Sequence, residues 1–390
     1  MEDTPLQIQH LGREEIITEY FNRGFSYSNI LSFLAIHHNI VLSKRQLQRI
    51  LKDQGLSRRV NKSNLNDVMD AIEREITESS SRNFGYRFMT QRLRSLGLVV
   101  DKETVRLCLK EMDPEGVLNR SRHRLNRRIY IARGPNYLWH LDGYDKLKPY
   151  GFCIHGAIDG FSRKILWLKV GTTNNDPSVV ASYFLDTLVT LNALPRCVRA
   201  DRGSENITLC GMQRFFRRNG IDSVAGKKSF LYGTSTSNQR IEAWWSFLKK
   251  ARSSWWINFF RDLIAQGIYD PSLYLHKSCM QFCLMGIIQR ELDETKVLWN
   301  SHHVRRVRNS ECPSGKPDVL YFAQNFHDYK KLLNLNDVGI RRELLNIRMQ
   351  PNPPNNILQR CQQLVVENNL RIANSANEGV ELFCSLMRLF

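Results

Sequence analysis

The sequence has no uninterrupted apolar run of the roughly 20 residues that a membrane-spanning helix requires. Its mean hydropathy of −0.39 also argues against a generally membranous protein. The opening stretch, MEDTPLQIQHLGREE, is polar and acidic and lacks the apolar segment of a secretory signal. We therefore expect neither a membrane partner nor secretion.

Paired cysteines are also missing. The nine cysteines are scattered singly, without CxxC pairs, which argues against a disulfide framework and a zinc finger and favours a reducing compartment. Cys279 and Cys283 lie four residues apart in an apolar helical stretch and are expected in a core. His302, His303 and Cys312 are too few and too irregularly spaced to predict a zinc site.

Acidic residues are scarce relative to basic ones. The chain has 56 Lys and Arg against 38 Asp and Glu, a net charge of +18, which favours a polyanionic partner such as nucleic acid. The alternative is a basic surface without such a partner, and composition alone leaves both open. A length of 390 residues with 42% hydrophobic residues suits two or three domains with real cores.

Residues 14–54 predict three short helices, over 14–23, over 28–36 with Ser28 as its cap, and over 43–54 with Ser43 as its cap. The third helix places Leu47, Ile50 and Leu51 on one face. Its polar and basic residues lie on the others: Lys44, Arg45, Gln48, Arg49 and Lys52. This is typical of a helix-turn-helix unit that binds DNA through its third helix, and we assign it to residues 1–62. An ordinary three-helix bundle with a solvated basic face is the alternative.

A second helical unit is predicted over residues 63–132, with helices at 67–78 after an Asn66 cap, at 88–96, and at 102–112 after an Asp101 cap. Its Phe84-Gly85-Tyr86-Arg87 run resembles the Tyr-Gly-Tyr-Arg run of insertion-sequence transposases, with Phe84 in place of the usual Tyr. A basic linker follows, with Arg120, Arg122, Arg124, Arg127 and Arg128. This linker is interpreted as a phosphate-contacting segment or a nuclear localisation signal, or simply as a solvated charge run.

The pattern changes to strands in residues 133–262. Strands at 137–141, 152–158 and 165–170 predict an antiparallel meander. A helix at 179–191, a strand at 197–200, a helix at 209–219 and a strand at 222–224 come next. A loop at 226–237, rich in Gly, Ser and Thr, then leads into a long helix from Asn238. This order predicts an α/β, RNase H-like core with a mixed five-stranded sheet.

Three carboxylates of this core lie at positions where a functional site is expected. Asp142 closes the first predicted strand and Asp201 the fourth, and strand ends are where α/β sheets present functional groups. Glu242 lies one turn into the long helix, opposite its apolar stripe of Ile241, Trp244, Phe247, Leu248 and Ala251. We expect Asn238, Ser246 and Lys249 to share the polar face with Glu242. Among the other acids, Asp159 is expected to hold a turn, Asp145 to be exposed, and Glu205 to support the site.

Four motifs, in this order, resemble the retroviral-type integrase core: Trp139-His140-Leu141-Asp142, Ala157-Ile158-Asp159-Gly160-Phe161-Ser162-Arg163, Arg199-Ala200-Asp201-Arg202-Gly203-Ser204-Glu205-Asn206 and Asn238-Gln239-Arg240-Ile241-Glu242. The resemblance spans roughly residues 80–260. It is closer to insertion-sequence transposases and eukaryotic transposon-derived integrases than to retroviral enzymes, whose His/Cys zinc pattern is missing.

The resemblance implies two Mg²⁺ or Mn²⁺ ions, with Asp142 binding both, Asp201 one and Glu242 the other. It also implies DNA strand cleavage and strand transfer at one site, with Asn238 and Lys249 contacting the DNA backbone. The expected partners are the DNA ends of a mobile element and a target duplex, with a homo-oligomer assembled on the DNA. The expected location is the nucleus in a eukaryotic host, or the cytoplasm and nucleoid in a bacterial one.

Two other functions compete with an active integrase. A domesticated, catalytically silent DNA-binding protein would keep the fold but not the cleavage. A nuclease acting on RNA–DNA hybrids would share the core, although the upstream helical units argue against it. Residues 263–390 are expected to be a helical region of unknown role, mostly helical over 318–390. A helical stretch at 270–298 draws its predicted core from Leu273, Leu275, Phe282, Leu284, Ile287 and Ile288.

Overall fold

The computed structural model describes residues 11–57, 62–77, 84–114, 117, 132–233, 238–305, 312–322 and 356–390. The predicted arginine-rich linker, including Arg120, Arg122, Arg124, Arg127 and Arg128, lies outside the described residues. So does most of the predicted helical stretch before residue 356. Within the described ranges, no helix combines the length and apolar character needed to cross a membrane.

Six helices precede the sheet in the described part of the chain: α1 (Arg13–Asn22), α2 (Tyr27–His38), α3 (Lys44–Asp53), α4 (Leu65–Thr77), α5 (Tyr86–Ser95) and α6 (Lys102–Met112). The predicted caps of α3 and α6 are confirmed, because Ser43 accepts from the Gln46 amide and Asp101 from the Glu103 and Thr104 amides.

Two other predicted caps are wrong by two residues. Helix α2 begins after Ser26, whose hydroxyl accepts from the Asn29 amide, and Ser28 lies inside the first turn. Before α4, the side chain of Asn64 accepts from the Asn66 amide, so Asn64 replaces the predicted Asn66 cap. Serine and asparagine are both preferred caps, so the sequence alone did not separate Ser26 from Ser28 or Asn64 from Asn66.

The sheet has five strands: β1 (Leu138–Tyr144), β2 (Cys153–Asp159), β3 (Ile165–Gly171), β4 (Cys197–Ala200) and β5 (Phe230–Tyr232). Their spatial order is β3-β2-β1-β4-β5. The first three strands pair antiparallel, as the meander predicted, and β4 and β5 add on parallel. This mixed sheet, with helices before and after it, is compatible with an RNase H-like core.

Two strand predictions need correction. Asp142 lies within β1, which continues to Tyr144, and does not close the strand. Residues 222–224 form a turn, and the fifth strand is Phe230–Tyr232. The reason is local, because the Asp222 carboxylate accepts from the Val224 amide and from Arg196 and Arg217, which closes the chain into a turn.

The remaining described helices are α7 (Pro177–Leu191), α8 (Ile207–Phe216), α9 (Gln239–Leu248), α10 (Ser254–Ala265), α11 (Tyr274–Ser301), α12 (Pro317–Phe322), α13 (Asn356–Glu367) and α14 (Ala376–Leu389). A π-helical turn, Lys249–Ser253, joins α9 to α10. In the predicted core of α11, Leu284, Ile287 and Ile288 are buried, but Leu273 precedes the helix and is 49% exposed. Cys279 and Cys283 are buried, as expected.

Helices cover both faces of the sheet. On one face, Trp139 and Leu141 share a buried cluster with α7, α8 and the first three helices, to which α12 adds Tyr321 and Phe322. On the other face, Tyr144 joins a cluster with α9, α10, α11, α13 and α14. A third cluster joins α4–α6 to Ala251 of the π-helical turn. Buried contacts therefore join each of the two predicted N-terminal units, and the region after residue 262, to the predicted core.

Candidate active site

Asp142 lies on the face of β1 that is covered by α9. Successive side chains of a strand point to opposite faces, so Asp142 shares its face with His140 and Tyr144, and Trp139 and Leu141 point to the other. Across the sheet Asp142 pairs with Gly156 of β2. The carboxyl group is half-buried, which leaves an opening toward solvent at this end of the strand.

Asp201 follows directly after β4, the parallel neighbour of β1. The paired residues end with His140 opposite Arg199, so the next positions along the two strands are Leu141 with Ala200 and Asp142 with Asp201. Parallel neighbours lie roughly 4.8 Å apart. The register of the sheet therefore brings these two carboxylates to the same edge.

Glu242 reaches this edge because the start of α9 is hydrogen-bonded to β1. Asn238 donates from Nδ2 to the carbonyl oxygen of Leu141 at 2.7 Å, and its Oδ1 lies 2.7 Å from Nδ1 of His140. Burial lowers the pKa of His140 to about 3, so the ring is neutral and donates from Nδ1. Glu242 follows one turn later, half-buried, with its amide bound to the Asn238 carbonyl.

Asn238 corrects one expectation. It was expected to share the polar face with Glu242, but it is 2% exposed and both ends of its amide are bound in the core. Asn238 precedes the first residue of α9, so helical periodicity does not govern its direction. The rest of the predicted polar face is confirmed, with Ser246 and Lys249 exposed.

The electrostatics of the site are those of crowded carboxylates. Burial, followed by the negative charge of Glu242 and then of Asp201, raises the pKa of Asp142 to about 7. Burial and the charge of Asp201 likewise raise the pKa of Glu242. Mutual repulsion of this kind requires that the three side chains lie close to one another.

Among the described residues, none of the three carboxylates forms an ion pair with a Lys, Arg or His side chain. Their donor atoms are all oxygens, the ligands that Mg²⁺ and Mn²⁺ prefer. In the same part of the chain no group of three or more His, Cys, Asp or Glu side chains is gathered around one point. The chemistry of the three side chains therefore suits a hard divalent cation.

Asp201 has its own polar surroundings. Asn206 donates from Nδ2 to Asp201 Oδ1 at 3.0 Å and to Glu205 Oε1 at 2.9 Å, and the Gly203 amide donates to Asp201 at 3.3 Å. Burial, together with the charge of Asp201, raises the pKa of Glu205. Glu205 was expected to support the site, and its carboxylate does lie against Asp201. Asn206 was not singled out, although it belongs to the same motif.

Trp245 is the main residue that sequence reasoning missed. Its indole Nε1 donates to Asp142 Oδ2 at 3.0 Å. Trp245 lies three residues after Glu242, so helical spacing places it on a neighbouring part of the same face. That spacing was available as a signal, but Trp245 belonged to neither the predicted apolar stripe nor the predicted polar face of the helix and was not singled out.

The other predicted residues are distributed as follows. On α3, Lys44, Arg45, Gln48, Arg49 and Lys52 are all exposed. Asp145 is exposed and Asp159 holds its turn by accepting from the amides of Asn136 and Ser162, both as expected. Half-buried His302 contacts the Trp299 carbonyl, and buried Cys312 lies near the Gly160 carbonyl.

Comparison with known proteins gives one finding for the family. A family described as an integrase core domain matches residues 129–327, about half of the chain. The matched range contains all five strands, the helix that carries Glu242 and all of α12. No curated protein matches the chain.

Proposed function

The chain belongs to the integrase core domain family, and on that premise we propose that it is a transposon-derived integrase or transposase. In this proposal it catalyses metal-dependent cleavage of DNA strands and their transfer into a target duplex. Members of the family are generally nucleotidyl transferases that bind DNA, so DNA as a partner follows from membership. The reaction and its catalytic residues, Asp142, Asp201 and Glu242, are the part that we propose.

The observation that carries the proposal is the convergence of these three carboxylates from distant parts of the chain. Asp142 comes from β1, Asp201 from the end of the adjacent parallel strand, and Glu242 from a helix hydrogen-bonded to β1. Charge repulsion among them destabilises the ionised forms of Asp142 and Glu242. Proteins keep such costly clusters of like charge mainly where function requires them.

Asp142 neighbours Asp201 in the sheet and feels the charge of both other carboxylates, which suits it to bind both of the proposed Mg²⁺ or Mn²⁺ ions. Asp201 and Glu242 would each complete one ion site. Bound ions would activate the attacking oxygen and stabilise the leaving oxygen of an in-line phosphoryl displacement. With water as the nucleophile the result is strand cleavage, and with a DNA 3′-hydroxyl it is strand transfer.

DNA would reach this site across several basic surfaces. We propose that Lys44, Arg45, Gln48 and Arg49 of α3 form a helix-turn-helix contact, and that Lys249, exposed one helical turn from Ser246, holds the DNA backbone near the site. The arginine-rich linker between residues 120 and 128 is a further proposed contact. Asn238 is not included, because its amide is committed to His140 and Leu141.

The proposal is tested with purified full-length protein, Mg²⁺ or Mn²⁺, and DNA carrying the ends of the element that encodes it. We expect nicking near a 3′ end and joining of that end to target DNA. Asp201→Asn and Glu242→Gln should each abolish both steps by several orders of magnitude, because groups that act as a unit fail together. Binding to DNA should survive in both variants.

Asp262→Asn is the matched control, since Asp262 is an exposed carboxylate on α10 and should leave both steps unchanged. Cleavage that persists in the Asp201 and Glu242 variants would refute the assignment of the active site. Tight binding to the native ends without any cleavage by the wild type would favour the alternative, a domesticated and catalytically silent DNA-binding protein.

A further inference from the structure

We propose that Trp245 is a positioning residue that fixes the orientation of the Asp142 carboxylate for metal binding. The inference rests on the proposed function and adds to it a residue outside the three carboxylates. In this arrangement two residues of one turn of α9 act at the same metal site. Glu242 supplies one carboxylate ligand, and Trp245 orients Asp142, the carboxylate ligand from β1.

The contact is a partly buried hydrogen bond to a carboxyl oxygen of Asp142. Trp245 is 4% exposed, and its Nε1 lies 3.0 Å from Oδ2 of Asp142. Indole nitrogen is a donor only, so the bond is made to a carboxylate oxygen that must remain an acceptor. A fixed donor on one oxygen restricts rotation of the carboxyl group about its Cβ–Cγ bond.

The ring of Trp245 is itself held in place. It lies against Tyr144, with ring centroids 5.0 Å apart, and against Trp244, at 5.3 Å. Beneath it is Gly156, which pairs directly with Asp142 across β1 and β2. A Cβ atom at Gly156 would lie 2.8 Å from Cη2 of Trp245, so the glycine provides the space that the indole occupies.

These contacts identify more than ordinary core packing. A tryptophan that served only the core would need no acceptor among the functional carboxylates, and Trp244 shows this, since its Nε1 has no hydrogen-bond partner among the described residues. Groups that hydrogen-bond a metal ligand typically cost about 10–100-fold in metal affinity or activity when they are removed. The two adjacent tryptophans therefore offer a matched comparison.

The experiment compares Trp245→Phe with Trp244→Phe in the full-length protein. Each variant keeps an aromatic ring and loses one indole N–H, and only at position 245 is that N–H bonded to Asp142. Mn²⁺ is titrated without DNA, and the rise in melting temperature gives an apparent Kd. We expect the Kd to rise about tenfold or more in Trp245→Phe and to stay within about twofold of wild type in Trp244→Phe.

Two further variants complete the design. Asp142→Asn should remove most of the Mn²⁺ response, which establishes that the response reports this site. Gly156→Ala keeps the indole N–H but displaces the ring, so it should also weaken Mn²⁺ binding. It provides the test if Trp245→Phe fails to fold. Melting temperatures in chelator separate these effects from a general loss of stability.

The outcomes separate the role of Trp245 from the proposed metal site on which it depends. If Asp142→Asn abolishes the Mn²⁺ response while Trp245→Phe binds Mn²⁺ like wild type, the role of Trp245 is wrong and the proposed metal site stands. Equal weakening in Trp244→Phe and Trp245→Phe would also overturn that role. A Mn²⁺ response that survives in Asp142→Asn would overturn the metal site and the role of Trp245 with it.

Discussion

Asn238 donates a hydrogen bond to the carbonyl oxygen of Leu141 at 2.7 Å, and this bond ties the start of α9 to the strand residue just before Asp142. The same side chain accepts from His140 through its Oδ1. Asn238 thus fixes where Glu242 stands relative to Asp142, although neither carboxylate touches it in any contact described above.

Replacing Asn238 with Ala should lower the free energy of unfolding by about 1–3 kcal/mol, since His140 and Leu141 would each keep a buried polar group without its partner. Urea unfolding followed by circular dichroism measures this loss. Ser246→Ala, on the exposed side of α9, should stay within about 0.5 kcal/mol of wild type. Strand cleavage should fall in the Asn238 variant beyond what its unfolded fraction explains.

The raised pKa of Asp142 predicts how stability changes with pH. The folded-state pKa is about 7 and the ordinary value is 3.8, so the folded protein binds the proton more tightly than the unfolded chain. The stabilisation from this proton is complete below the ordinary value and is lost as the pH rises through the folded-state value. In chelator, stability should therefore decline between about pH 4 and pH 7 through this group.

Asp142→Asn removes that dependence, because an amide does not ionise. In chelator at pH 8 the variant should melt a few degrees above wild type, and the difference should shrink toward pH 5. Differential scanning calorimetry at both pH values measures it, with Asp262→Asn as the control. A variant that melts below wild type at pH 8 would contradict the like-charge repulsion at this site.

The basic face of α3 predicts a salt-dependent contact with DNA. Each phosphate contact contributes about 0.9 to the slope of log affinity against log salt. Arg45→Ala combined with Arg49→Ala should therefore reduce that slope by nearly 2 if both residues contact phosphates. Fluorescence anisotropy of labelled duplex DNA, titrated at several salt concentrations, measures the slope.

Lys102→Ala is the matched control for this measurement. Lys102 is equally exposed but lies on α6, outside the proposed helix-turn-helix contact, and should leave the slope unchanged. An unchanged slope in the α3 variant as well would identify that face as merely solvated, which was the alternative interpretation of the sequence.

A buried ion pair predicts a large effect on stability. Lys164 donates from Nζ to Asp318 at 2.5 Å, with the two side chains 2% and 8% exposed. Lys164→Met leaves the Asp318 charge buried without this cation and should cost about 3–5 kcal/mol in chemical unfolding. Adding Asp318→Leu should recover part of the loss. The exposed Lys148–Asp145 pair provides the comparison, since Lys148→Ala should cost less than about 1 kcal/mol.

The sequence predicted most of the fold where local signals and tertiary packing agree. The Ser43 and Asp101 caps are confirmed because each side chain bonds the amide that its position predicts. Strand β4 begins at Cys197 and ends at Ala200, as predicted, since a short apolar run between a proline and an aspartate has few other solutions. The order of elements through the sheet is likewise as predicted, apart from its fifth strand.

The failures occur where a distant partner decides the outcome. Residues 222–224 have a strand-like pattern, but Arg196 and Arg217 bind Asp222 and these residues form a turn. The fifth strand is Phe230–Tyr232 instead, and it pairs with β4. Asn238 is polar and was expected on the polar face, yet its partners on β1 are about a hundred residues away in the chain. The bond from Trp245 to Asp142 also depends on tertiary structure, which periodicity alone does not encode.

The short helix α12 determines how this protein can be recombined with others. Phe322 packs edge-on against Phe33 of α2, with ring centroids 6.4 Å apart, and Lys316 donates to the carbonyls of Arg23 and Gly24. Helices α1, α2 and α3 therefore cannot be exchanged on their own for the corresponding helices of another protein. A chimaera that replaced residues 11–57 alone would remove these contacts of Lys316 and Phe322, so a workable exchange has to transplant residues 312–322 together with the helices they contact.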